Sequence, residues 1–286
     1  MKLKRYFFLV ISMFAQSLVM GQSAEDVANF ASQQFDEGNF AIASKAYNRA
    51  LFFGYTDKAF AAQRIAECYT HLEQYKLAGD FYDKSYRFSE SDSMKNEAIL
   101  GKTFSLLMEE KFILGLRELL NFNENQNASQ QASFHFLKGI SYFGLKNDSV
   151  SFNEFIKIAT HSPLQNIDTS VVKSEFQKIF RYDKKYNPQR AYVMSGIIPG
   201  SGQFASGEFS AGLNSMLLIG GLYLVSLRVM HIYSFWDAVL AVFPWIQRYY
   251  LGGMEHSKQL AISKIDNKRY QSYLKILKAS TPGRYK

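Results

Sequence analysis

The chain has 286 residues, 47% of them hydrophobic and 20% charged, with a formal net charge of +8. This length suits one large domain or two smaller ones, and the apolar content excludes a chain disordered throughout. The single cysteine, Cys68, excludes an intramolecular disulfide and a cysteine-rich metal site. It falls in the apolar helical run Ile65-Ala66-Glu67-Cys68-Tyr69, where a thiol serves as a small buried hydrophobe.

The first predicted element is an export signal over residues 1–21. Lys2, Lys4 and Arg5 precede a nearly unbroken apolar run from Tyr6 to Met20, and cleavage is expected after Gly21. The apolar core is short for a stable membrane span, so the segment reads as a removable leader that carries the rest of the chain out of the cytoplasm.

A repeat then runs through residues 22–160. The segment Gly38, Phe40, Ala43, Tyr47, Ala50, Leu51 sets a frame. The frame recurs 35 residues later at Tyr75, Ala78, Tyr82, Ser85 and Tyr86, and 37 further on at Phe112, Gly115, Leu119 and Phe122. A weaker copy comes after another 36, at Asp148, Ser151, Phe155 and Ile158. Ahead of each lies a second apolar helical pattern. Small residues at Ala43, Ala78, Gly115 and Gly139 let antiparallel helices approach, and a neighbouring ring fills the space beside them. One hairpin cannot bury its apolar face alone, so about four stacked units are expected.

This spacing resembles the tetratricopeptide-repeat (TPR) family, units one and two most closely; the family's proline after the second helix is absent. The resemblance implies an all-α TPR-like α-solenoid that binds protein partners on a face lined by the first helix of each unit. Carried onto this sequence, that face includes Phe35, Phe60, Gln63, His71, Phe104, Phe136 and Phe143, an aromatic lining suited to an extended or helical peptide.

Residues 161–190 break the frame. Pro163 and the polar run 165–170 predict a loop, 171–181 a capping helix, and Tyr182–Arg190 a linker. The membrane domain is expected over 191–252. Its opening carries Pro199, Gly200, Gly202, Gln203, Gly207 and Gly212. That series resembles the P-G-x-G-Q-x-x-x-G-x-x-x-x-G signature of small bacterial membrane domains of unknown function built around a helical hairpin, and it implies membrane residence without a particular activity. In physical terms, Pro199 and the glycines break a helix begun at Tyr192, leaving a re-entrant or interfacial segment. Ala211–Leu227 then predicts one membrane helix. Ile232–Ile246 predicts a second, with Trp236 and Trp245 near its ends and Asp237 facing a neighbouring helix, a protein or the interface. Residues 253–286 read as a basic helical tail bearing Lys258, Lys264, Lys268, Arg269, Lys275, Lys278, Arg284 and Lys286, suited to anionic lipid.

The sequence carries no convincing enzymatic signature. Gly202–Glu208 echoes a phosphate loop, but Glu208 stands where a lysine must be, and a carboxylate there repels phosphate. His71, His135, His161, His231 and His256 lack metal-ligand spacing, so neither metal nor cofactor is expected. Glu109-Glu110 reads as a solvated helix end. An exported chain does not meet nucleic acid, so the tail's tyrosines among lysines do not imply it. The expectation is a non-enzymatic scaffold of the bacterial cell envelope, at the inner membrane with the repeats in the periplasm, binding protein through the repeats and lipid through the hairpin and tail. The alternative is a subunit of a membrane transport or assembly machine whose hairpin is the working part.

Overall fold

The computed structural model describes residues 23–123, 128–161 and 168–281. The predicted export signal, the loop around Pro163 and the last residues, Arg284 and Lys286 among them, lie outside these. The described residues are helical throughout, without strands, and form two compact units, 23–161 and 168–281.

The first unit is a run of four helical hairpins: α1 (Ala24–Asp36) with α2 (Phe40–Phe52), α3 (Lys58–His71) with α4 (Tyr75–Phe88), α5 (Asp92–Met108) with α6 (Phe112–Leu119), and α7 (Ala128–Gly144) with α8 (Asp148–His161). Each helix packs on the next in sequence, and α3 also touches α5 and α5 touches α7, the pattern of an α-solenoid. The second helices begin at 40, 75, 112 and 148, the same 35-, 37- and 36-residue steps read from the sequence.

Local chemistry explains the boundaries. Ser23 and Asp26 form a reciprocal capping box at the start of α1, and Asp57 accepts from the Phe60 amide to start α3. All four hairpins turn on the same device. Gly38, Glu73, Glu110 and Lys146 stand at matching positions with φ between 58° and 80°. The amide one residue later returns to the carbonyl five residues back: Asn39 to Gln34, Gln74 to Tyr69, Lys111 to Leu106, Asn147 to Tyr142. This paired-bond ending satisfies carbonyls that a helix otherwise leaves open. Glycine enters that left-handed conformation freely; the other three side chains do so at some cost.

Packing repeats too. The fourth residue of each second helix (Ala43, Ala78, Gly115, Ser151) is buried, and the eighth (Tyr47, Tyr82, Leu119, Phe155) fills the space beside it. Tyr82 lies so close over Gly101 that an added Cβ there would meet the ring at 2.2 Å. Short α6 is followed by a loop held by Asn96, whose amide donates to the Asn123 carbonyl (2.9 Å) and accepts from its N–H (3.0 Å).

The second unit holds α9 (Thr169–Lys185), α10 (Pro188–Ile197), α11 (Ser201–Ala205), α12 (Phe209–Ile232), α13 (Phe235–Ala241) and α14 (Phe243–Ser280). Here the structure departs from the sequence reading. The predicted capping helix, now α9, belongs to this unit and packs on the far half of α14, burying Val172, Phe176, Ile179 and Ile276. The basic tail is no separate element but the continuation of α14, a helix of 38 residues. The predicted second membrane helix over 232–246 is not continuous. Tyr233-Ser234 makes a turn, Ser234 caps α13, and a break at Val242 precedes Pro244, whose missing N–H and fixed φ favour the first turn of α14.

Candidate functional site

The first two hairpins gather four of the seven residues expected on the binding face. Phe35, at the end of α1, meets Phe40 edge-on at 5.4 Å and His71 at 6.2 Å, and His71 stacks flat on Phe40 with centroids 4.1 Å apart. The Arg64 guanidinium lies 4.5 Å from the Phe35 ring centroid and 5.2 Å from that of Phe60. Its Nη1 pairs with Glu67 Oε2 at 3.0 Å, and Gln63 donates to Glu67 Oε1 at 3.0 Å. His71 is exposed, and Phe35, Phe60 and Gln63 are half-buried. The group offers ring faces and a held guanidinium, which suit stacking and charge-assisted hydrogen bonding to a peptide. The sequence reading had Phe40 in the repeat frame and Glu67 in a helical run but put neither on this face, and it did not name Arg64. The neighbouring frame positions in α3 were the available signal, since i, i+3 and i+4 residues share a helix face.

The remaining three do not extend this face as an open aromatic groove. Phe104 is half-buried. Phe136 and Phe143 are buried, Phe136 standing edge-on to Phe155 at 6.1 Å. The fourth hairpin uses its rings as core, because Gly139 and Gly144 of α7 leave space that rings from α6 and α8 fill.

The motif residues of the second unit come together as a packed junction. Gly200 has φ 90° and starts α11; a Cβ there would meet the Gly212 carbonyl oxygen at 2.2 Å. A Cβ at Gly202 would meet the Ala191 carbonyl oxygen at 2.1 Å, and one at Gly212 the Phe204 ring at 2.8 Å. Gly207, with φ 81°, turns the chain into α12. Pro199 is half-buried at the turn that ends α10. Gln203 is fully buried and joins three helices: it accepts from Ser195 Oγ of α10 (2.9 Å) and donates to Ser215 Oγ of α12 (3.1 Å) and to the Gly253 carbonyl of α14 (3.0 Å). Tyr250 hydrogen-bonds the Gly196 carbonyl, and Ser257 that of Ala191 (3.0 Å). Glycine is required here by close backbone approach, and glutamine by its length and paired donor and acceptor.

Beyond this junction the chain is apolar and open. Among the described residues α12 is the one helix long and apolar enough to cross a membrane, and only 6% of its most apolar stretch is buried. At about 1.5 Å per residue its 24 residues span about 36 Å, against roughly 30 Å of bilayer hydrocarbon. It runs alongside α13 and the start of α14, with a cavity of about 350 Å³ between them lined by Tyr223, Met230, Phe235 and Phe243 among others. Asp237 is exposed and completes a local cap: Ser234 Oγ donates to its carboxylate at 2.6 Å and accepts from its amide at 3.2 Å.

Charge is divided between the units. Residues 23–161 hold 14 Lys and Arg against 18 Asp and Glu; residues 168–281 hold 14 against seven. Much of the tail's charge is already used within its unit, with Lys264 to Glu208 (3.4 Å), Lys275 to Glu175 (3.7 Å) and Lys268 over Tyr182. In the repeats, burial would raise the Glu154 carboxyl, but hydrogen bonds from His135 and Lys157 and the charge of Lys138 outweigh it and hold it at about 2. Burial pushes the Cys68 thiol up to about 12, where it is inert. Among the described residues no group of His, Cys, Asp and Glu is gathered as for a metal ion. Comparison of the sequence with protein-family models and with curated proteins finds no match.

Proposed function

We propose that the protein is an exported TPR-like scaffold that captures a protein partner with its helical repeats and is held at a membrane by the hairpin of α12 with α13 and the start of α14. The observation that carries this reading is the coexistence of a well-packed solenoid with a helix whose apolar side chains face outward. An uncovered apolar surface of that size is unstable in water and stable in lipid. The repeats supply the recognition surface at Phe35, Phe60, Gln63, Arg64 and His71. The Gln203 junction fixes the hairpin to its base, and Asp237 serves in a local helix cap. The membrane is a bacterial inner membrane, with the repeats on its periplasmic side.

Two measurements test this. Full-length protein should stay with membranes through carbonate washing, and recovery in the soluble fraction would refute the anchor. Crosslinking in intact cells should trap a protein partner on the repeats, and Phe35→Ala/Phe60→Ala/Arg64→Ala should lose it while remaining folded and membrane-bound. Undiminished crosslinking would refute the recognition surface. Asp237→Asn should leave both properties intact, as a capping role requires.

A further inference from the structure

We propose that the junction of α9, α10 and α11 is a binding site for the phosphate headgroup of an anionic phospholipid, a site that rests on the reading of the hairpin as membrane-held. A cavity of about 160 Å³ opens there, lined by Lys185, Tyr186, Arg190, Met194 and Ser206 among others. That is about five water molecules' share of liquid volume, room enough for a phosphodiester group.

Two cations meet at this cavity. Lys185 and Arg190 are both exposed, and neither has a carboxylate within salt-bridge distance among the described residues. Lys185 instead lies over the Tyr186 ring, its Nζ 5.1 Å from the centroid. This contrasts with Lys264 and Lys275 of the same unit, which have acidic partners. The backbone supplies little here: Pro188 has no N–H, and the Asn187 side chain already takes the Arg190 amide at 2.9 Å. Recognition falls to the side chains, an ammonium and a guanidinium that fit phosphate oxygens at a point and as a fork respectively.

The surroundings favour a lipid over a free phosphate. Arg190, Met194 and Ile197 lie at i, i+4 and i+7 along α10, so one helix face runs from cation to apolar within two turns. Met194 lines the cavity, and Ile197 is 75% exposed beyond it. Phe209 and Leu213, where the open apolar surface of α12 begins, are exposed as well. A headgroup between Lys185 and Arg190 would lay its acyl chains along that strip.

The test is calorimetric titration of the full chain in non-ionic detergent with short-chain phosphatidylglycerol, short-chain phosphatidylcholine and inorganic phosphate. Phosphatidylglycerol should bind tightest. Lys185→Gln/Arg190→Gln should weaken it about thirtyfold, five- to sixfold for each cation removed, and Arg190→Lys should weaken it less than Arg190→Gln. Equal affinity for the two lipids overturns the proposal without any variant, as does unchanged affinity in the double variant. Inorganic phosphate binding as tightly as phosphatidylglycerol would overturn the lipid assignment. Membrane-bound protein lacking the lipid preference sinks this inference alone; protein recovered as soluble sinks the anchor reading, and this inference with it.

Discussion

Replacing Gln203 by methionine keeps the length of the side chain and removes all of its polar atoms. Three hydrogen bonds disappear, to Ser195, Ser215 and the Gly253 carbonyl, in a position with no access to solvent. At about 1 kcal/mol net for each, the second unit should lose about 3 kcal/mol. For a unit of this size that corresponds to a fall in Tm of about 10 °C. The assay is tryptophan fluorescence during a thermal ramp in detergent, because both tryptophans, Trp236 and Trp245, lie in the hairpin and report this unit. Asn214→Ala, at an exposed position beside Ser215, is the control and should melt with the unmodified protein. A Gln203→Met protein melting within about 2 °C of the unmodified one would refute the three-helix lock and return the motif to some other role.

In the repeats, Gly101→Ala should destabilise by about 1–3 kcal/mol, since its Cβ would meet the Tyr82 ring, whereas Gly79→Ala, with open space around it, should stabilise by up to about 1 kcal/mol. Circular dichroism melts that rank the two the other way would mean the helices are misregistered. Glu73→Gly relieves a left-handed turn residue and should leave stability unchanged or raise it by about 1 kcal/mol; a clear loss would show that the Glu73 side chain has a role of its own. The folded Glu154 carboxyl titrates below its unfolded value, so its contribution is complete above about pH 4.5 and is lost as pH falls towards 2. Glu154→Gln should therefore lower the Tm at pH 7 and flatten the acid limb of stability, and an acid limb identical to that of the unmodified protein would show that His135, Lys138 and Lys157 do not hold this carboxylate.

The repeat region was legible because its information is local. A fixed step, a small residue at the fourth position of each second helix and a ring at the eighth are properties of single hairpins, and they placed Ala43, Tyr47, Ala78 and Tyr82 correctly. The candidate face on the first helices was half legible. The frame put Phe35, Phe60, Gln63 and His71 on first helices, and they do meet. It could not show that Arg64 lies between two rings, or that Phe136 and Phe143 turn inward, because both depend on which neighbouring helix leaves room.

The helical class, the four-hairpin period and the open apolar stretch within Phe209–Ile232 could all be read along the chain. Each follows from side chains within a few residues of one another. Three features had to await the packed molecule: that α9 belongs with the tail, that Ile232–Ile246 breaks at Ser234 and Pro244, and that the P-G-x-G-Q residues form a lock. The lock arises where residues 8 to 66 positions apart, such as Ser195 with Gln203, Gln203 with Gly253 and Ala191 with Ser257, are brought within hydrogen-bonding reach. Periodicity carries no record of such pairings, because many arrangements of the same helices satisfy it and the buried polar partners select one.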